Sequence, residues 1–235
     1  DPDRRLARVE PGVVQASLNA AAEPFGLEFG PDTSTVDQAT IAGMVGNNSS
    51  GSRSIVYGQS RDKVRRIAAG LAGGDGVVLG PGARVRGPRG ERLAAGVTAV
   101  RERWTAAIAG GAPRTARCTS GYDVRELLKP APNFARLLAG SEGTLALFAE
   151  LEVELDPRPA RRVGAALTFA TLREALEANV VILGTGPSAV ELLDLPPLRA
   201  APKLAGYRRM APLLRGEAQA MLTVEYQGDD DEARA

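Results

Sequence analysis

Gly30-Pro-Asp-Thr-Ser-Thr-Val-Asp-Gln-Ala-Thr40-Ile-Ala-Gly-Met-Val-Gly-Asn-Asn-Ser-Ser-Gly51-Ser-Arg-Ser-Ile-Val-Tyr-Gly58 is rich in glycine and in small hydroxyl and amide side chains, with no run of charge. A stretch of this composition is expected to bury little apolar surface of its own. It can instead bring backbone N–H groups and short hydroxyls close to something else. Flexible linkers share the same composition. Apolar residues recur inside the stretch, however: Ile41, Met44, Val45, Ile55, Val56 and Tyr57. The residues alone leave a ligand cradle and a surface loop evenly matched, and the rest of the chain has to decide.

Working outward, 235 residues suffice for one large domain or two small ones with a real core. A net charge of +1 implies no bulk attraction to nucleic acid or to an anionic membrane. The single cysteine, Cys118, excludes an internal disulfide and a cysteine-based metal site. No apolar run reaches membrane-spanning length, and the first residues do not read as a signal peptide, so a cytoplasmic protein is the expectation. The chain holds no histidine, which removes Ser-His-Asp and Cys-His catalysis and histidine metal ligation from its own repertoire. Chemistry here needs a bound cofactor, other residue types or another chain.

Taken in order, residues 6–10 alternate like a short strand and stop at Pro11-Gly12, and 13–24 read as an amphipathic helix ended by Gly26. Leu27-Glu-Phe29 is a brief strand. Residues 63–71 and 76–79 read as a hairpin across a Gly-Gly-Asp-Gly turn. The basic, Gly/Pro-rich run 80–92 is expected as an exposed loop, and 97–109 as a helix with Val97, Val100, Trp104 and Ile108 on a core-facing side. Residues 118–128 run from a loop into a short helix. A sharp polar turn at Gly140-Ser-Glu-Gly-Thr144 leads into a strand over 145–155.

Asp156-Pro-Arg-Pro159 is the best boundary, dividing the chain into 1–158 and 159–235. Beyond it, a β-α-β-α-β run is expected: strands at 163–169, 188–193 and 220–226, a helix opened by the capping box Thr171-Leu-Arg-Glu174, and a second helix over 202–214. A further helix is expected to start near Asp229.

Gly184-Thr-Gly-Pro-Ser-Ala189 has the outward form of a dinucleotide fingerprint. It follows a helix instead of a strand, with no acidic residue at ribose distance, so it reads as a helix C-cap. Cys118 reads as a small buried or half-buried residue. Glu142, alone between two glycines, reads either as a capping group or as a group that accepts hydrogen bonds from a ligand and orients it.

Three separated stretches, taken together, resemble the FAD-linked oxidases of the vanillyl-alcohol oxidase and p-cresol methylhydroxylase (PCMH) type, in the branch of glycolate oxidase large subunits and D-lactate dehydrogenases. They are Val9-Glu-Pro-Gly-Val13; Phe29 to Gly51 with Tyr57-Gly58; and Ser120-Gly-Tyr-Asp123 with Leu138-Ala-Gly-Ser-Glu-Gly-Thr-Leu145. The tail, with Gly186 to Asp194 and Val224 to Asp229, is similar to the start of that family's cap domain. The resemblance implies an α+β fold: a PCMH-type FAD-binding domain over 1–158, lacking its first subdomain, then the beginning of an α+β cap over 159–235. It implies FAD as cofactor, with Pro31, Asp32, Ser34, Thr35, Thr40, Gly43, Asn47, Asn48, Ser49, Tyr57, Gly140, Glu142 and Gly143 as its contacts.

Further, the resemblance implies oxidation of a small 2-hydroxy acid, D-lactate-like or glycolate-like, by hydride transfer to flavin. Electrons would pass to an iron–sulfur or other acceptor module, with no nucleic-acid partner, no membrane span and no metal site, in the cytoplasm or at the periphery of the inner membrane. Against the family pattern, the pyrophosphate-loop subdomain would precede Asp1 and the histidine-rich cap segment would follow Ala235, while residues 70–100 match poorly. Catalytic residues are therefore left unassigned. The alternative is a non-catalytic fragment or assembly subunit that keeps the flavoprotein fold.

Overall fold

The structure, a computed structural model, describes residues 1–81, 87–111, 115, 117–200 and 218–228. The chain forms two compact units, Asp1–Gly51 with Tyr57–Arg158, and Ser52–Val56 with Pro159–Ala235.

The first unit opens with β1 (Leu6–Val9) and α1 (Gln15–Ala22), then a 3-10 turn that ends at Gly26 with φ +66°. Next come β2 (Leu27–Glu28), α2 (Ile41–Gly46), the single turn α3 (Ser54–Tyr57), whose first three residues belong to the second unit, then α4 (Ser60–Lys63) and the hairpin β3 (Val64–Gly70) and β4 (Gly76–Leu79). The long helix α5 (Gly87–Gly110), the helix α6 (Phe134–Leu138) and strands β5 (Leu147–Glu154) and β6 (Asp156–Pro157) complete it. Its sheet has the order β1-β5-β3-β4, and each neighbouring pair is antiparallel. Alternation on β5 turns Leu151 and Val153 inward; Leu151 faces Val9 on one side and Ile67 on the other.

The quoted stretch does more than line a surface. Ile41, Met44 and Val45 sit at i, i+3 and i+4 on α2, are at most 2% exposed, and share one core with Phe29, Ile67 and Leu151. That corrects the expectation that this stretch buries little. Composition averaged over its length hid a helix whose apolar residues all fall on one face. Thr40 starts α2 by accepting a hydrogen bond from the Gly43 N–H at 3.2 Å.

Two more expectations change. Helix α5 begins at Gly87, where Gly-Pro suits a first turn, so 87–92 are helical instead of looped; 82–86 lie outside the described residues. Trp104, expected in the core, is 50% exposed, and Val100 beside it is 44% exposed. Helical spacing shows that a face is apolar but not that anything covers it.

The second unit holds β7 (Arg161–Phe169), α7 (Leu172–Leu183), β8 (Ala189–Asp194), α8 (Leu195–Ala200) and β9 (Ala220–Gly228). Strand β9 lies between β7 and β8, antiparallel to both, and α7 covers it through Ala175 against Ala220, Leu222 and Val224. The Thr171/Glu174 capping box forms as expected. Gly184 caps α7, and Gly186 has φ +76°, so the fingerprint-like run is indeed a helix end. The helices expected over 202–214 and from Asp229 lie outside the described residues.

Between Gly51 and Tyr57 the chain leaves the first unit, and Arg53 anchors the excursion within the second. Its Nε and Nη2 donate to the two carboxylate oxygens of Glu225 at 2.6 and 2.7 Å, while the Ser188 hydroxyl donates to Glu225 Oε1 at 3.0 Å. Hydrogen bonding from Arg53, outweighing the opposing effect of burial, holds the Glu225 carboxyl below the usual carboxylate range. A lowered folded-state pKa stabilises above the ordinary carboxylate pKa, and that contribution disappears as pH falls through the lowered value. Arg53→Ala is therefore expected to cost about 1–3 kcal/mol near neutrality and to flatten the acid limb of a stability–pH profile. Chemical denaturation from pH 7 downward measures both; a variant with the parent's acid limb would contradict this.

Candidate cofactor cleft

Three loops meet at the C-terminal end of α2. The last carbonyls of this short helix are taken up by the loop that follows it and by the downstream glycine turn: Ser49 N–H donates to Met44 O at 2.7 Å, Asn48 and Gly140 N–H both donate to Val45 O, and Glu142 N–H donates to Gly46 O, each of these at 3.0 Å. To make its two bonds the turn takes left-handed backbone at Gly140 (φ +84°), Glu142 (+49°) and Gly143 (+78°). A Cβ on Gly140 would come within 2.9 Å of Gly121 O, so only glycine lets the third loop approach this closely. Tyr122 and Thr144 join those two loops through their hydroxyls at 2.7 Å.

Asn48 links the same loops from inside. It is fully buried with φ +50°; its Oδ1 accepts from the Arg61 N–H at 3.0 Å and its Nδ2 donates to Cys118 O at 3.5 Å. The Arg61 guanidinium also donates to Cys118 O and lies 3.5 Å from Asp123. Asp123 and Glu126, 6% and 3% exposed, face Arg136, which in turn binds Asp62 at 2.7 Å. This buried ionic network fastens the loop at 118–123 to α4 and α6.

Two clefts open on the assembled loops. The first, about 490 Å³, is lined by hydroxyls and amides from Thr33, Ser34 and Asn47–Ser50 and from Thr119–Gly121. The second, about 520 Å³, is lined by Ala42, Gly43, Gly46, Ala146, Leu147 and Phe148, with Gly143 beside them. Asn47 and Glu142 line both, so a polar and an apolar cleft meet at those two side chains. Near Gly143 no atom lies where a Cβ would be, and near Gly46 only the edge of Phe148 does, at 4.0 Å.

Of the contacts expected from sequence, Ser34, Asn47, Asn48, Ser49 and Glu142 line the polar cleft, and Gly43, Asn47, Glu142 and Gly143 the apolar one. The others line neither. Thr40 caps α2, Gly140 binds Val45 O, and Thr35 O accepts from Gln38 and Ala39. Pro31 O accepts from buried Gln15 Nε2 at 2.6 Å, Asp32 abuts Gly51, and buried Tyr57 donates to Glu28 at 3.2 Å. Sequence reasoning passed over Thr33, Ser50 and Thr119 as lining residues, though each neighbours a singled-out position. It also passed over Gln15 and Arg61, for which no local signal exists, and it quoted Asp123 in a motif without giving it a role. Among the described residues no cluster of three or more potential metal ligands occurs, and no helix is long and apolar enough to cross a membrane.

Residues 1–80 match the FAD binding domain family, and 158–235 match the C-terminal domain of FAD linked oxidases. Over 97% of its length the chain is 31% identical to a D-2-hydroxyglutarate dehydrogenase of Pantoea ananatis, of which it spans 24%. It is 26% identical to the glycolate oxidase subunit GlcD of Bacillus subtilis, spanning 39% of it, and 31% identical, over 82% of this chain, to a mitochondrial D-lactate dehydrogenase [cytochrome] of Arabidopsis thaliana, spanning 26%. The chain thus covers about a quarter to two fifths of these relatives. An alkyldihydroxyacetonephosphate synthase structure, 17% identical, superposes on the whole chain with a TM-score of 0.62 and shares its fold; the chain covers 37% of it.

Proposed function

We propose, because this chain belongs to the FAD-linked oxidases, that it forms one wall of a flavin site in an enzyme that oxidises a small 2-hydroxy acid to the 2-oxo acid. Residues 1–158 are assigned to the flavin domain and 159–235 to the start of the cap. The observation that carries this reading is the meeting of a hydroxyl- and amide-lined cleft with an apolar one at Asn47 and Glu142.

FAD has the matching shape, an apolar ring system joined to a polar ribityl and pyrophosphate chain, and the residues fit it. Ser34, Ser49 and Asn47 offer donors and acceptors that replace water around the polar chain. Gly43, Gly46 and Gly143 leave the apolar cleft free of side-chain bulk. When bound, FAD supplies the acceptor for the hydrogen and two electrons that leave the hydroxyl-bearing carbon. Glu142 is the carboxylate at the junction, placed to accept a hydrogen bond from a ligand N–H or O–H and so fix its orientation. The hydroxyl proton passes to a base. With no histidine here, a base drawn from this chain is a carboxylate, amine, phenolate or thiolate.

Similarity to dehydrogenases of D-2-hydroxyglutarate and D-lactate supports the substrate class. Purification of the native protein is expected to yield bound flavin, and anaerobic addition of the correct acid to bleach its visible absorbance. A folded native protein without flavin, or a flavin that no 2-hydroxy acid bleaches, would overturn the reading.

Glu142 offers a sharper check. Its left-handed backbone costs a non-glycine residue about 1 kcal/mol, so Glu142→Gly is expected to raise stability by that amount while lowering flavin retention. A glycine variant that gains stability and keeps its flavin unchanged would remove Glu142 from the site.

A further inference from the structure

Helix α5 carries an apolar stripe at the period of a coiled coil. Leu93, Val97, Val100, Trp104 and Ala107 follow one another at steps of four, three, four and three residues. None of the five is buried; Leu93 is 38% exposed, and Val100 and Trp104 are more so. Two clefts lie end to end along the stripe. One, about 560 Å³, is lined by Leu93 and Val97 against Phe134 and Leu137; the other, about 460 Å³, by Val100 and Trp104 against Tyr122 and Val124. Together they make an apolar groove beside α5, about 20 Å long at 1.5 Å per helical residue. Charge flanks the stripe on both sides with one sign. At 100° per residue, Arg101 stands roughly 80° to one side of its centre, and Arg92 and Arg103 roughly 80–100° to the other, all three exposed. Glu102 falls on the reverse of the helix, and Glu91 lies at the end of the groove where α5 begins. Asp123, on the groove's other wall, is buried and lies 3.5 Å from both Arg61 and Arg125, so the balance there is positive as well.

We propose that this groove docks an acidic amphipathic helix of a partner protein. The partner's apolar residues enter the two clefts, and its Glu or Asp side chains meet Arg101 on one flank and Arg92 and Arg103 on the other. Binding energy at protein–protein contacts concentrates on tryptophan, tyrosine and arginine, and Trp104, Tyr122 and the flanking arginines supply all three. The same charges disfavour a second copy of this chain. Two α5 helices packed stripe to stripe, parallel or antiparallel, set arginine against arginine. A small apolar molecule could fill one cleft, but it would use neither the heptad spacing nor the cations on both flanks. None of these side chains is assigned to the flavin site.

Two synthetic peptides of about three heptads test this, identical except at their flanks. Each has leucine at a and d; one has glutamate at e and g, the other lysine. Anisotropy of a fluorescein label, with the native protein titrated in, is expected to show the glutamate peptide binding about tenfold or more tightly than the lysine peptide. Its affinity should fall as sodium chloride is raised. Arg101→Glu combined with Arg103→Glu should reverse the preference, since both side chains are exposed and only the sign of the rim changes. Trp104→Ala should weaken the glutamate peptide about tenfold.

Equal binding of the two peptides, binding of neither, or a preference that survives the double charge reversal would overturn the proposal. Concentration-dependent dimerisation of the parent protein in sedimentation, abolished by Trp104→Ala, would overturn it too, by giving the groove to a second copy. Circular dichroism checks the fold of both variants. Should Trp104→Ala fail to fold, the charge reversal at two exposed positions still decides the outcome.

Discussion

Arg61→Ala is expected to destabilise the first unit by about 1.5–3 kcal/mol, the cost of taking one of its charged partners from a buried carboxylate and the guanidinium hydrogen bond from Cys118 O. The parent side chain is 5% exposed, lies 3.5 Å from Asp123 and binds Cys118 O. Its removal leaves the buried Asp123 with Arg125 at 3.5 Å and Arg136 at 3.8 Å. The backbone N–H of residue 61 still bonds Asn48, so α4 stays attached while the loop at 118–123 is released. Urea denaturation followed by Trp104 emission measures the loss. Because the charges act as a unit, Arg61→Met with Asp123→Asn should cost clearly less than the sum of the single changes. Additive losses would mean that the two residues do not form a coupled pair.

Gly51→Ala is the second large effect. A Cβ there would lie 1.4 Å from the backbone oxygen of Asp32 and 2.3 Å from its carboxylate oxygen, so the loops at 30–34 and 47–51 have to separate. Backbone displaced by backbone has no soft side chain to yield. A loss of about 3 kcal/mol or more is expected, together with loss of flavin from the native protein, because these loops supply Ser34 and Asn47–Ser50 to the polar cleft. Gly96→Ala is the contrast: it sits within α5 with nothing near its Cβ position, and should stabilise by about 0.5–1 kcal/mol. Equal outcomes for the two variants would show that the Asp32 contact is not a constraint.

Much of the secondary structure was legible because its causes are local. The capping box at Thr171 and Glu174, the turn between β3 and β4, and the alternation on β5 each act within a few residues. Helix α2 was not legible. It spans six residues, two of them glycine, too short to hold in water by propensity, and it persists because Gly140 and Glu142 bond its last carbonyls and its apolar face enters the core. Trp104 failed for the opposite reason, since a periodic apolar face says nothing about whether another element covers it.

By itself the sequence, through its resemblance to the FAD-linked oxidases, set the stretch from Gly30 to Gly58 with Ser120–Asp123 and Gly140–Thr144, and it placed Glu142 in a sharp glycine turn. Order, spacing and glycine placement are properties of a chain. Only the tertiary structure decided which side chains face a cleft and which hold it together: Ser34, Asn47 and Glu142 line it, whereas Tyr57 and Pro31 are bonded elsewhere. Arg61 and Asp123 stand 62 positions apart in the numbering, and no local rule pairs charges over that separation. Burial makes the pair matter, because a carboxylate withdrawn from water requires a partner that only the folded chain brings within reach.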